Sequence, residues 1–196
     1  MSLLKTGGVV AYPTETLYAL GASALNLNAI QRVIEIKSRP LDKGLPLAIS
    51  SINDLEFLSE EIPEIAYSLA TFFWPGPLTL VLNTRPEVPD LITGGRKSVA
   101  VRVPNHPIPL AILKKLKEPI IATSANITGK TPCLTANEVR KMIGERVDLT
   151  ISGHTSSEGL PSTIIDLTSD TPKILRKGAV EQTDIEECLG QKLLST

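Results

Sequence analysis

Apolar residues along this chain fall into short runs broken at regular intervals by polar and turn-forming positions. Runs at Val9 to Tyr12, Leu45 to Ile49, Leu78 to Leu82, Val99 to Val103, Ile120 to Thr123, Leu149 to Ser152, Thr163 to Leu167 and Ile174 to Arg176 have strand length and β-branched content. Between them Ile30, Val33 and Ile34 recur at helical spacing, as do Ile62, Ile65, Ala66, Leu69 and Phe73, and Ala136, Val139 and Ile143. These faces predict packing helices. Thr135 to Glu138 and Thr183 to Glu186 have capping-box spacing, which assigns their polar residues to helix starts, the second opening a last helix from Thr183 to Leu189. Strands and helices alternate unevenly, so an α/β or α+β fold is predicted, without repeats, low-complexity tracts or long linkers.

The break points hold the chemistry. Continuing the phase of Ile30, Val33 and Ile34 puts Lys37 in the last turn of its helix, with Arg39 and Lys43 in the loop about Pro40. Three cations near a helix end can serve as ordinary C-terminal charges or as a phosphate site. Their company favours the second. The strand at Gly8 to Ala11 ends in Tyr12-Pro13-Thr14-Glu15-Thr16, two hydroxyls and a carboxylate where strand ends commonly meet ligands. Further on stand Trp74-Pro75-Gly76-Pro77-Leu78-Thr79, Ser98-Val99-Ala100-Val101-Arg102-Val103-Pro104, Thr123-Ser124-Ala125-Asn126, Pro161-Ser162-Thr163-Ile164-Ile165-Asp166 and Leu175-Arg176-Lys177-Gly178.

In order, spacing and chemistry these segments resemble the YrdC/TsaC family, the threonylcarbamoyl-AMP synthases, over about Gly8 to Gly178. The resemblance implies a YrdC-like fold: a twisted mixed β-sheet with surrounding helices and a deep concave cleft. It also implies one domain over residues 1–196, the catalytic unit without the C-terminal domain of longer members. The implied reaction forms threonylcarbamoyl-AMP and pyrophosphate from L-threonine, bicarbonate and ATP, for threonylcarbamoyladenosine modification of tRNA.

By position in the family pattern, Lys37 and Arg39 are the expected catalytic pair. Thr16, Arg39, Arg102 and Ser162 are expected to meet threonine, and Lys37, Lys43, Ser98, Ser124, Asn126 and Arg176 to meet ATP. Arg102 has a second reading as a structural ion pair. Magnesium is expected to ride on the nucleotide, since no pair of carboxylates stands out as its cage and Glu15 is a single candidate. The expected onward partners are the proteins that transfer the threonylcarbamoyl group to tRNA, with at most weak RNA contact. Ala48, Ala19 and Lys177 depart from residues common in the family, so contacts near Ala48 are open.

Composition narrows the alternatives. With 42% hydrophobic and 4% aromatic residues, 196 residues build one aliphatic core. Twenty basic against 21 acidic residues give a net charge of −1, which counts against a module holding structured RNA by its own field, the competing reading. Cys133 and Cys188 supply neither a disulfide framework nor the zinc motifs of hydrogenase-maturation proteins, whose related domain transfers carbamoyl from carbamoyl phosphate. Thr93 to Ser98 lacks the order of a P-loop, and neither histidine sits in a nucleophile motif. No run is long enough to cross a bilayer, and a cytoplasmic location is expected.

Overall fold

The computed structural model describes residues 1–155 and 159–193. In chain order the strands are β1 (Val10–Pro13), β2 (Tyr18–Gly21), β3 (Leu47–Ala48), β4 (Leu78–Asn83), β5 (Ser98–Arg102), β6 (Ile120–Ile121), β7 (Thr123–Ser124), β8 (Leu149–Thr150), β9 (Thr163–Asp166) and β10 (Lys173–Arg176). The helices are α1 (Ser2–Lys5), α2 (Leu27–Lys37), α3 (Glu64–Phe73), α4 (Asp90–Thr93), α5 (Pro107–Leu116), α6 (Ala136–Ile143) and α7 (Gln182–Leu189).

Pairing divides the strands into two mixed sheets, in the orders β7-β2-β1-β8 and β10-β9-β4-β5-β3-β6. The segment expected as one strand from Ile120 to Thr123 turns a corner at Ala122. Ahead of the corner, Ile120 and Ile121 pair with Ala48 and Leu47; behind it, Thr123 and Ser124 pair with Leu20 and Ala19. At the corner Ala122 N donates to Pro46 O. The expected single sheet is therefore folded into two that share one stretch of chain.

Strand β4 explains why the larger sheet sits mid-molecule. Leu78, Leu80 and Leu82 are fully buried, and parallel pairing to β9 with antiparallel pairing to β5 covers both its edges. With Leu20, Leu47, Val101 and Ile165 they form the centre of the main core. A smaller cluster, with Tyr12, Ile120 and the α5 residues Leu113 and Leu116, closes the other side. Each such side chain contributes about 1.5 to 3 kcal/mol on burial.

Helix α2 follows its apolar phase, with Ile30, Val33 and Ile34 buried, and the structure adds a cap at Asn26, whose side chain accepts from Ala29 N. It ends at Ser38 in the left-handed region (φ 49°), with Arg39 N closing onto Ile34 O. The capping box of Thr135 and Glu138 forms as its spacing predicts. The one expected at Thr183 does not. Thr163 Oγ1 holds both backbone groups of Val180, so α7 starts at once after Glu181 and Thr183 falls inside it. Glu186 accepts instead from Gln182 Nε2 and Leu193 N. Among the described residues no helix is long and apolar enough to cross a membrane.

Candidate functional site

A cavity of about 360 Å³ lies in the angle between the two sheets. One wall comes from the turn after β1 and from β2, with Thr14, Thr16, Tyr18 and Ala19. The floor is Thr79 of β4 with Ala100 and Arg102 of β5, and the far wall is Ser162, Ile164 and Arg176. Gly44, Pro46, Arg39 and the corner Ala122 to Ser124 complete it. The volume lies within the usual range of small-molecule sites.

Arg102 is anchored from the first wall. Its Nη1 donates to Glu15 Oε1 at 3.1 Å, and Nη1 and Nη2 both reach Thr16 Oγ1 at 3.4 Å. The ion pair is buried, with side chains 8% and 9% exposed. Arg102 therefore forms the structural ion pair of its second reading, bracing the 14–16 turn, and also lines the cavity. Thr14 Oγ1 organises that turn, donating to Leu17 O at 2.7 Å and accepting from the backbone N–H of Thr16 and Leu17.

Arg39 also lines the cavity, but its guanidinium is not free as its place beside Pro40 suggests. Nε donates to Lys43 O at 3.0 Å and Nη2 to Gly44 O at 2.6 Å, which ties the 39–44 loop shut. Arg176 closes the far wall, donating from Nε and Nη2 to Ser162 O and from Nη2 to Ser162 Oγ at 3.0 Å. Burial lowers Arg39 and Arg176 from their ordinary range, with Arg96 adding to the first and Arg102 to the second. Guanidiniums stay charged regardless. Three of them around one cavity, with no carboxylate in its lining among the described residues, make it a site for anions.

Of the residues expected from sequence, the structure brings Thr16, Arg39, Arg102, Ser124, Ser162 and Arg176 to the cavity. Lys37, Lys43, Ser98 and Asn126 are outside its lining. Lys37 is 2% exposed and donates its three N–H to Ser124 O, Asn126 O and Asn126 Oδ1. Burial, with Arg39 close by, lowers Lys37 to about 7. Asn126 is its counterpart, bracketed also by Ser124 Oγ at 2.6 Å. Lys43 is exposed and offers only its backbone carbonyl to Arg39. Ser98 opens β5 on the face of Ala100 and Arg102, two residues along the strand from the lining residue Ala100.

The structure adds Thr79 and Thr14 to the lining, and Gly178 beneath it. Thr79 was signalled by a lone hydroxyl inside the apolar run of 78–82. Gly178 packs on the backbone of Pro161 and Ser162, where a Cβ would lie 2.3 Å from Pro161 O.

Comparison with known proteins adds the kinship. A family model described as Sua5/YciO/YrdC, telomere recombination, matches residues 2–178. The threonylcarbamoyl-AMP synthase of Pyrococcus abyssi (strain GE5 / Orsay) is 45% identical over 188 residues, covering 96% of this chain and 55% of that protein. That of Bacillus subtilis (strain 168) is 38% identical over 190 residues, covering 96% and 55%. The chain thus spans roughly half the length of these curated relatives. The crystal structure of P. abyssi Sua5 complexed with L-threonine is similar at TM-score 0.94 and 44% identity, over 98% of this chain and 56% of that one. With the family's model matched from end to end of the two-sheet body that builds the cavity, this chain belongs to the Sua5/YciO/YrdC family.

Proposed function

We propose that the chain is an L-threonylcarbamoyladenylate synthase, a cytoplasmic nucleotidyltransferase that makes threonylcarbamoyl-AMP for tRNA modification. The observation that carries this reading is the convergence of Arg39, Arg102 and Arg176, from three separate elements, with the hydroxyls of Thr16, Thr79, Ser124 and Ser162 on one cavity. The names of the curated relatives and the threonine complex of P. abyssi Sua5 support the choice of substrates.

In the proposed reaction the threonine amine forms an N–C bond to bicarbonate carbon and water leaves. The new carboxylate then attacks the α-phosphorus of ATP; the bond to the β-phosphate oxygen breaks and pyrophosphate departs. No protein nucleophile is needed. The barriers are repulsion between anions and the entropy of aligning them, so the protein's work is neutralisation and positioning. Arg102, on the floor and held by Glu15, and Arg176, on the far wall and held by Ser162, are fixed donors, and Arg39 joins them from the tied loop. Lys37 serves from below, setting the Ser124 and Asn126 segment rather than facing the cavity.

Magnesium would neutralise triphosphate charge, but the residues present do not form a cage for it. Glu15 is committed to Arg102, and among the described residues no group of three His, Cys, Asp or Glu could hold a metal ion. The ion would come and go with the nucleotide. The RNA-binding reading lacks a stacking platform at the cleft: Tyr12 and Tyr18 are fully buried, and the exposed rings Phe57, Tyr67 and Phe72 lie outside the cavity lining.

Incubation with ATP, bicarbonate and labelled threonine tests the proposal. Pyrophosphate and a labelled adenylate should appear only when all three are present. Equal pyrophosphate release without threonine or without bicarbonate overturns it.

A further inference from the structure

Where the cavity floor meets its far wall there is one more hydroxyl proton than the protein has places for. Thr79, 3% exposed, and Ser162, 8% exposed, face each other with Oγ1 and Oγ 2.8 Å apart. Register explains the meeting: β4 and β9 run parallel with Leu78 opposite Thr163, and Thr163 N donates to Pro77 O, which sets Ser162 beside Thr79. Ser162 Oγ also accepts from Arg176 Nη2 at 3.0 Å. Among the described residues, no other polar atom meets the Thr79 hydroxyl.

A hydroxyl has one proton and two lone pairs, and a guanidinium can only donate. Two arrangements follow. If Ser162 donates to Thr79, the Thr79 O–H has no protein acceptor. If Thr79 donates to Ser162, both Ser162 lone pairs are taken, by Thr79 and by Arg176, and the Ser162 O–H is left over. In either case one O–H is directed into the cavity beside the Arg176 guanidinium. A buried donor left unpaired is costly, so this wall is built for an anionic acceptor.

We propose that Thr79 is a substrate-positioning residue: the Thr79–Ser162 hydroxyl pair presents its uncommitted O–H, beside Arg176, to the carboxylate of the amino-acid substrate. This rests on the reading of the cavity as an amino-acid site. The carboxylate is the chemistry that fits, because cation and hydroxyl donor together match one negative oxygen pair, whereas an ammonium is repelled by the Arg176 guanidinium. Thr79 then selects ligands that carry a free carboxylate and fixes the direction in which the amine points. Since Arg176 stays with Ser162 when Thr79 changes, loss at Thr79 is expected to be partial.

Titration calorimetry of the whole chain with L-threonine and with L-threoninamide, which lacks the carboxylate, tests this. Thr79→Val, nearly isosteric, should weaken L-threonine binding about 10- to 100-fold, the range for losing a hydrogen bond to a charged group. Its weaker binding of L-threoninamide should not move, and Thr79→Ser should restore parent affinity for L-threonine. Thr79→Ala provides the same reading should the valine variant fold poorly. If both variants bind L-threonine as the parent does, or lose both ligands equally, the assignment of Thr79 is overturned while the amino-acid site stands. If the parent itself binds no L-threonine, the amino-acid reading falls and this assignment falls with it.

Discussion

Replacing Lys37 by methionine tests the least obvious feature of the site, a buried ammonium set behind the cavity. Methionine keeps the length and packing of the side chain and removes three donors. Two of the three acceptors keep other donors, Ser124 O from Asn126 N and Asn126 Oδ1 from Ser124 Oγ, so the main loss is at Asn126 O, which has no other donor among the described residues; a buried acceptor left unpaired costs about 1 to 3 kcal/mol. Burial holds Lys37 down at about 7, so the charge itself adds little net stability at pH 7. Lys37→Met should therefore cost about 2 kcal/mol at pH 7, or about 4 to 8 °C in melting temperature for a chain of this size. The pH dependence has a fixed sign. The folded group releases its proton more readily than the unfolded one, so between about 7 and 10.5 the unfolded chain binds more protons and the parent gains stability as pH rises. The methionine variant lacks that gain. Urea denaturation of both proteins at pH 7, 8 and 9 reads the cost and the slope together. A variant as stable as the parent at pH 7, or one with the parent's pH profile, refutes the balance argued here.

Arg39→Lys keeps a charge but cannot span Lys43 O and Gly44 O with a planar fork, so adenylate formation should drop by about 10- to 100-fold and the loosened 39–44 loop should cost about 1 to 3 kcal/mol of stability; an unchanged rate would remove Arg39 from the site. Glu15→Ala leaves the Arg102 guanidinium buried without its partner and should destabilise the fold by about 3 to 5 kcal/mol in chemical denaturation; a loss below 1 kcal/mol would show the pair is solvated. Gly178→Ala forces a methyl to 2.3 Å from Pro161 O and 2.5 Å from Ser162 C, backbone atoms that cannot rotate away. It should cost about 1 to 3 kcal/mol and weaken L-threonine binding through Ser162, and parent-like affinity would show that the Ser162 wall is independent of this contact. Transfer RNA should bind this chain weakly at physiological salt, given the net charge of −1; submicromolar affinity with a steep salt slope would revive the RNA-binding reading.

What sequence reveals about this molecule depends on how far a signal reaches along the chain. Helix α2 was legible because the phase of Ile30, Val33 and Ile34 and the stop at Pro40 lie within a few turns of one another. Strand β2 was not, because Tyr18-Ala19-Leu20-Gly21 is short and half alanine and glycine, and its burial comes from pairing with β1 and β7 rather than from its own β propensity. The corner at Ala122 was equally hidden, since it exists only through partners near residues 20 and 47. The same distinction runs through the site. The motifs correctly mark the segments that converge, because turns and strand ends are local. Which side chain of a segment faces the cavity is a tertiary matter. Lys37 turns inward because Ser124 and Asn126, 87 and 89 positions away, present oxygens to it, and Arg39 is left as the cation of that cluster at the cavity. Thr79 reads in sequence as one polar residue in an apolar strand, and becomes a binding group only when the β4–β9 register sets Ser162 opposite its hydroxyl, 83 positions on. A motif therefore fixes the address of the chemistry, and the register between strands decides which hydroxyls and cations carry it out.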